Sequence, residues 1–265
     1  MVLEKIVQAK REEVATRKAA LPLRELKAQV RDLPPTRNFH QALNRRGSGG
    51  RIRLIAEVKR ASPSQGVIRE VFDLERLVQA YAGAGAVALS ILTDEPFFQG
   101  SPQDLVRAKT AVPLPVLRKD FILDPYQVYE TRAWGADAIL LIVSVLDGHL
   151  LQDLLELSRE VGLYPLTEVH TREELHRALT TKAPIVGINN RDLKTFQASL
   201  ETSFVLLPEI PPDRLVVSES GISDPRGVAR LEAAGVDAIL VGEVLLRSRD
   251  VGAKIRELLG SEHGG

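Results

Sequence analysis

Eight short runs rich in Val, Ile and Leu recur from residue 52 onward, and this rhythm limits the possible folds more than any other feature. The runs are RLIAEVK (53–59), AVALSIL (86–92), PVLRKDF (115–121), AILLIV (138–143), YPLTEV (164–169), IVGIN (185–189), LVVSES (215–220) and AILVG (238–242). Between them lie stretches with helical patterning, such as 72–83, 147–161 and 224–233. Strands alternating with helices point to βα units around a parallel sheet. An internal echo supports this. Gly85-Ala86-Val87-Ala88-Leu89, Gly135-Ala136-Asp137-Ala138-Ile139-Leu140 and Gly235-Val236-Asp237-Ala238-Ile239-Leu240 share one pattern, at offsets of 50 and 100 residues. Each places Gly where a helix stops in the left-handed conformation and then enters a strand. Eight units in about 200 residues fit an α/β fold of the (β/α)8 TIM-barrel type. A doubly wound sheet is the rival fold, but no GxGxxG follows the first strand.

Ahead of the rhythm the pattern changes. Residues 2–18 predict a helix with Leu3, Ile6, Val7 and Val14 on one face and charges on the other. A second helical stretch covers 22–31 and is closed by Pro34-Pro35. Arg45-Arg46-Gly47-Ser48-Gly49-Gly50 reads as a flexible loop. The expected organisation is a helical extension over 1–50 packed on a catalytic barrel over 51–265, forming one structural domain. Residues 1–60 carry 15 basic and 6 acidic side chains, so this segment is +9 and the remainder −9. Solvated helix faces account for the asymmetry, and attraction of an anionic substrate is the alternative.

Composition excludes several function classes. With 35 basic and 35 acidic residues the net charge is zero, unlike a general nucleic-acid binder. A hydrophobic fraction of 44% argues against disorder. The longest apolar run, 138–146, is far short of the roughly 20 residues of a membrane span. The N-terminus lacks the apolar core of a signal peptide, so the expected location is cytoplasmic. Without cysteine there is no disulfide framework, thiolate nucleophile or Cys-based zinc site. His40, His149, His170, His176 and His263 form no ligand pattern, so no metal is expected, and His170 is read as a solvated side chain on the rim. One Met, four Asn, and 25 Arg against 10 Lys suggest a thermostable protein.

The strongest functional signal is charge where a barrel core should be. Strand side chains alternate faces, so Ile55, Glu57 and Lys59 share one face while Leu54, Ala56 and Val58 share the other. The apolar set can pack on helices, which turns Glu57 and Lys59 into the barrel. Lys119, Glu168, Asn189 and Glu219 likewise end the third, fifth, sixth and seventh runs. Burying an isolated charge costs several kcal/mol, roughly, so one such residue is explained by a structural ion pair. Five ionisable residues at one barrel end are better explained by an active site, which in this fold lies at the C-terminal ends of the strands. Two lysines and three glutamates suit acid–base chemistry on an anionic substrate. Ser220-Gly221-Ile222 and Gly242-Glu243 follow the last two runs, where such barrels bind phosphate through backbone amides; a tight turn is the simpler reading of either glycine alone.

These residues also carry a family resemblance. Ile55-Ala56-Glu57-Val58-Lys59-Arg60-Ala61-Ser62-Pro63-Ser64-Gln65-Gly66 resembles the signature of indole-3-glycerol-phosphate synthases. So do, in order, Leu117-Arg118-Lys119-Asp120-Phe121-Ile122, Glu168-Val169-His170, Gly187-Ile188-Asn189-Asn190-Arg191-Asp192-Leu193 and Ser218-Glu219-Ser220-Gly221-Ile222. The resemblance spans nearly the whole chain. It implies conversion of 1-(2-carboxyphenylamino)-1-deoxyribulose 5-phosphate to indole-3-glycerol phosphate, CO2 and water, with no metal or organic cofactor. The implied partner is a phosphorylated small molecule, with no nucleic acid and no membrane, and the expected state is a monomer.

Residue roles follow from the resemblance as expectations. Lys119 is the general acid at the carbonyl oxygen, and Lys59 binds the anthranilate carboxylate. Glu168, Glu57 and Lys59 are the open choices for acid and base in dehydration. Asn189 and Glu219 orient sugar hydroxyls and catalytic groups. Ser62, Ser220, Gly221 and Gly242 line the phosphate or sugar end, and Leu240 belongs to the substrate-binding set. Phe98 and Phe121 contact the anthranilate ring, or simply pack the core. Arg191 stands beside the site or forms an ion pair behind it. Glu243 departs from the small residue common at its position, and its carboxylate would repel phosphate unless it points away or pairs with a base. Two other readings fit a barrel of this kind: a phosphoribosylanthranilate isomerase, which would use a Cys and Asp pair, and a non-catalytic barrel that docks through its basic first segment.

Overall fold

Strand formation here follows from runs of β-branched and aliphatic residues short enough to cross a barrel wall once. In the computed structural model these runs become β1 (Arg53–Val58), β2 (Ala88–Leu92), β3 (Val116–Lys119), β4 (Ala138–Ile142), β5 (Tyr164–Val169), β6 (Ile185–Asn189), β7 (Leu215–Glu219) and β8 (Ala238–Val241). Each pairs in parallel with its chain neighbour, and β1 pairs with both β2 and β8, closing an eight-stranded barrel. The registers Arg53↔Ala238 and Ile55↔Ala88 join the two ends of the sheet. The structure describes residues 2–47, 50–62, 66–68, 73–192 and 195–260. Pro63, Ser64, Gln65 and Leu193 of the family motifs, Phe72 of the expected 72–83 helix, Ser48 and Gly49 of the expected loop, and His263 lie outside the described residues.

The glycine echo has a direct structural meaning. Gly85, Gly135 and Gly235 have φ of 110°, 83° and 110°, the left-handed stop that only glycine takes cheaply. The aspartates of the second and third copies do more than start a strand. Asp137 Oδ2 accepts a hydrogen bond from the Val116 amide at 2.8 Å, and Asp237 Oδ2 accepts one from the Val216 amide at 2.9 Å. Each carboxylate thereby satisfies a buried amide at the start of the preceding strand. The first copy has Val87 at that place and makes no such bond through its side chain.

The two faces of β1 separate as expected from alternation. Leu54, Ala56 and Val58 pack outward with Leu77, Val78 and Tyr81 of the helix Leu74–Gly83. Ile55 packs inward with Ala88, Leu117, Ala138, Leu140, Leu166, Ile185, Leu215, Val217 and Leu240. The helices expected at 147–161 and 224–233 span Gly148–Glu160 and Pro225–Ala234, capped by Asp147 and Asp224. Aspartate or serine side chains capping first-turn amides recur around the ring, a local signal that fixes where each helix starts.

Three helices precede the barrel: α1 (Val2–Ala20), α2 (Leu23–Arg31) and α3 (Phe39–Leu43). The last is too short to show a period in the sequence. It places Phe39 and Leu43, both fully buried, against the N-terminal ends of the strands, where they plug the barrel's lower mouth. In α1 the buried stripe is Ile6, Lys10 and Val14. The expectation that charges keep to the solvent face of α1 is therefore wrong at Lys10. Its ammonium lies 3.0 Å from Asp94 Oδ2, 2.9 Å from Asp120 Oδ1 and 2.7 Å from Glu13 Oε2. Asp120 in turn meets Arg118 Nη2 at 2.8 Å, and the Arg118 guanidinium stacks 4.2 Å from the Trp134 ring centre. A buried charge survives only when compensated, and this chain of alternating charges fastens α1 to the strand that carries Lys119.

Candidate active site

A cavity of about 500 Å³ opens at the C-terminal ends of the strands. All fourteen residues expected at a site line it: Glu57, Lys59, Ser62, Phe98, Lys119, Phe121, Glu168, Asn189, Arg191, Glu219, Ser220, Gly221, Leu240 and Gly242. Parallel strands of one barrel end at one rim, so side chains as far apart in sequence as Glu57 and Leu240 meet there. Sequence reasoning missed Val2, Leu3 and Ile6 of α1, as well as Phe196 and Arg247, all of which also line the cavity. For α1 the signal was present: its apolar face had to cover something.

The charges are arranged as linked pairs. Lys119 Nζ lies 2.6 Å from Glu168 Oε2 and 3.4 Å from Glu219 Oε2. Lys59 Nζ lies 3.3 Å from Glu57 Oε1. Burial opposes the charge on Lys119, but Glu168, Glu219 and Glu57 together hold its ammonium well above the usual lysine range. Burial likewise opposes ionisation of Glu168, yet Lys119, His170 and a hydrogen bond from Asn189 bring it down to about 2. Burial pushes Glu219 up to about 8; Lys119 pulls the other way, and the charges of Glu168 and Glu57 reinforce the rise. The electrostatic logic is simple. Three carboxylates face two ammonium groups, and one retained proton makes the cluster neutral.

Asn189 and Asn190, at the end of β6, hold this geometry. Asn189 Oδ1 accepts from the Arg191 amide at 3.1 Å while its side chain also bonds Glu168. Asn190 is buried and donates to Ser218 Oγ, the Glu219 carbonyl and the Ser220 carbonyl at 2.9, 2.9 and 3.1 Å, pinning the end of β7 to β6. Gly187 was noted only as part of a motif, but its missing side chain is used. A methyl built there would overlap Glu219 Oε1 and stand 3.3 Å from Leu166 Cδ1. Glu219 can lie across β6 only because this position has no Cβ.

The far side of the cavity suits an anion. Ser220 and Gly221 have successive φ of 66° and 73°, an uncommon conformation for serine that turns the chain sharply after β7. Gly242 begins the short helix Glu243–Arg247, whose first amides have no intrahelical acceptor, and Gly242, Glu243 and Val244 line the cavity. The Glu243 carboxylate is paired, with Oε1 3.2 Å from Arg247 Nε and Oε2 3.7 Å from Arg191 Nη2. Its charge is therefore answered by two bases. Arg191 combines both expected roles, lining the cavity while pairing with Glu243 and donating to the Phe196 carbonyl at 2.9 Å. Phe98 and Phe121 flank the cavity with ring centres 6.1 Å apart, and neither is fully buried, unlike core phenylalanine.

One expectation fails. His170 is not a solvated rim side chain: it is 6% exposed and lies between Glu168 and Glu174. His170 lies just past the end of β5, between the strand and the helix Arg172–Thr180, and alternation alone cannot place a side chain past the strand end. Among the described residues, no group of three or more His, Cys, Asp or Glu is arranged to hold a metal ion, and no helix is long and apolar enough to cross a membrane.

Comparison with known proteins points to one family. A family model described as indole-3-glycerol phosphate synthase matches residues 3–258. A protein named indole-3-glycerol phosphate synthase from Acidithiobacillus ferrooxidans is 51% identical over 257 residues, covering 97% of this chain and 98% of the relative. One of the same name from Albidiferax ferrireducens is 48% identical, covering 98% of each. Among solved structures, 3-hexulose-6-phosphate synthase from Salmonella typhimurium superposes with a TM-score of 0.64 at 12% identity, covering 79% of this chain and 97% of that one. A tryptophan synthase structure from Pyrococcus furiosus gives 0.58 at 17% identity, covering 80% and 98%. At such identities these two likenesses speak to the barrel fold alone.

Proposed function

The chain belongs to the indole-3-glycerol phosphate synthase family, and from that premise we propose a division of labour among its cavity residues. The family's activity is that of a decarboxylating lyase of tryptophan biosynthesis, and it sets aside the isomerase and the non-catalytic barrel. The substrate, 1-(2-carboxyphenylamino)-1-deoxyribulose 5-phosphate, is anionic at both ends. Phe98 and Phe121 follow β2 and β3, whereas Ser220-Gly221 and Gly242-Val244 follow β7 and β8. In a closed eight-stranded barrel β3 and β7 stand opposite each other. The aromatic end therefore binds at the phenylalanines and the phosphate at the glycine loops, with the sugar carbonyl carried across the charged centre.

Lys119 is the proton donor. As the aromatic ring carbon adds to the sugar carbonyl carbon, the carbonyl oxygen gains charge and takes a proton from Nζ. Glu168 at 2.6 Å and Glu219 at 3.4 Å keep that ammonium loaded and aimed. Lys59 binds the carboxylate, which leaves as CO2 while its bonding electrons return to the ring. In dehydration Lys59 protonates the departing hydroxyl, and the ionised Glu168 removes the ring proton; Glu57, 3.3 Å from Lys59, keeps the acid in place. Apart from the Lys119 ammonium 3.4 Å from Oε2, no donor among the described residues approaches the Glu219 carboxylate, and neither oxygen makes a well-formed hydrogen bond, which leaves both for the sugar hydroxyls. Glu243 holds Arg191 and Arg247 at the phosphate end without leaving a bare negative charge there.

The observation that carries this reading is the ammonium of Lys119 held between two buried carboxylates inside the cavity. Following CO2 release and indole fluorescence in parallel tests it. Lys119→Ala is expected to slow both by more than about 100-fold, the usual scale for a lost positioned acid. Glu168→Gln is expected to slow indole appearance more than CO2 release. Near-normal rates for Lys119→Ala, or equal slowing of both signals in Glu168→Gln, would reject the respective roles.

A further inference from the structure

His170 follows β5 by one residue, and both of its ring nitrogens face carboxylates. Nε2 lies 3.4 Å from Glu168 Oε1, and Nδ1 lies 3.1 Å from Glu174 Oε2. Glu174 is itself fixed. It stands in the first turn of the helix Arg172–Thr180, where Thr171 caps its amide at 3.2 Å, and its carboxylate also accepts from the His170 backbone amide at 2.7 Å. Glu168 thus meets a base on two sides, with Oε2 hydrogen-bonded to Lys119 and Oε1 3.4 Å from a buried His170 Nε2 that has no hydrogen-bond partner among the described residues.

A neutral imidazole has one donor nitrogen and one lone pair. If the Glu174 contact takes the proton on Nδ1, a neutral ring turns its Nε2 lone pair toward the Glu168 oxygen, and the contact is repulsive. Only the imidazolium, with a donor on each nitrogen, satisfies both carboxylates. We propose that His170 is a positioning residue for the indole-forming reaction, a charged bridge from Glu174 that fixes the Glu168 carboxylate on the side away from Lys119. The proposal rests on the role of Glu168 given above and adds the group that orients it, as an outer carboxylate–imidazole pair orients a reacting group elsewhere.

The groups that face the ring are Glu168 from β5, Glu174 from the following helix and, at longer range, Lys119 from β3. Burial works against the charged ring and Lys119 repels it. The Glu174 hydrogen bond and the charges of Glu168 and Glu174 outweigh them and raise its pKa above the ordinary histidine value. Loss of the ring proton at alkaline pH then replaces an attraction on Glu168 by a repulsion, and turnover falls with it.

The test combines ring titration with kinetics on the full chain. With 15N-labelled histidine, one imidazole is expected to stay doubly protonated above pH 6.5, to disappear in His170→Gln, and to titrate lower in Glu174→Gln. For His170→Ala, kcat is expected to fall by about 10-fold at neutral pH with KM within about 2-fold of wild type. His170→Gln, whose amide nitrogen can reach Glu168 as a neutral donor, is expected to recover part of kcat and to lose the alkaline limb assigned to the ring. A His170 ring that titrates at or below 6.5, or kcat for His170→Ala within 2-fold of wild type from pH 6 to 9, would overturn the proposal. Where a His170 variant does not fold, the Glu174→Gln titration decides alone. Failure of the bridge leaves wild-type indole formation intact, whereas failure of the underlying reading removes it.

Discussion

Gly187→Ala adds one methyl to β6 at the place where the Glu219 side chain crosses the strand. The new Cβ would overlap Glu219 Oε1, with Glu219 Cδ only 3.5 Å away. Restoring ordinary contact moves the carboxylate by about 1 Å. Leu166 Cδ1 at 3.3 Å blocks one direction of escape, and Glu219 itself is almost wholly buried, so the shift goes into the cavity. Because Glu219 keeps its proton up to about pH 8, its 3.4 Å contact with Lys119 Nζ is that of a neutral carboxyl with an ammonium, and lengthening it by that distance breaks the contact at little direct electrostatic cost. Displacing a group that aligns substrate costs more, up to about 100-fold in rate per ångström. The expected outcome is a 10- to 100-fold fall in kcat, roughly, with KM little changed and the far-ultraviolet circular dichroism of the barrel retained. Indole fluorescence gives the rates. A double-mutant cycle isolates the cause: in a Glu219→Ala background the same alanine should cost little further activity, because its target is gone. A single mutant within 2-fold of wild type, or a fully additive double mutant, would refute the idea that this glycine acts through Glu219.

Three further outcomes follow from other contacts. Gly242→Val should raise KM by crowding the phosphate end. It should also lower kcat, because its Cβ would stand 3.0 Å from Glu57 Cβ and 3.1 Å from Oε1; steady-state kinetics with unchanged KM would move the phosphate site elsewhere. Lys10→Met leaves Asp94 without its ammonium and Asp120 with Arg118 alone, so it should lower the melting temperature by roughly 10 °C, with Lys10→Arg closer to wild type; equal melting curves for Lys10→Met and wild type would reject the tether. The native state keeps a proton on Glu219 up to about pH 8, while the unfolded carboxyl releases it near 4.5. The native state therefore binds more protons in that window, and this contribution to stability, complete below 4.5, is lost by up to about 1.4 kcal/mol per unit as pH rises toward 8. Glu168 titrates near 2 and stays ionised throughout, so urea denaturation at pH 5, 6.5 and 8 should show a falling advantage of wild type over Glu219→Gln; parallel profiles would contradict it.

Much of this protein is written in local patterns. Strand length, the three left-handed glycines and the alternation of Ile55, Glu57 and Lys59 are properties of neighbouring residues, and backbone sterics read them without reference to the rest of the chain. Closure of the barrel then brings every strand end to one rim, so a charged residue in the right register of each run was enough to nominate Lys119, Glu168 and Glu219. What remained hidden depends on contacts between elements distant in sequence. Lys10 looks like any surface lysine of an amphipathic helix until Asp94 and Asp120 are seen around it. Gly187 looks like a weak strand residue until Glu219 from the next strand lies over it. Phe39 and Leu43 become a plug only beneath a closed barrel, and His170 becomes a bridge only where two carboxylates meet its ring. Periodicity and backbone preference act over a few residues, whereas burial of a charge or the space left by a missing side chain is decided by whatever the tertiary fold sets against it.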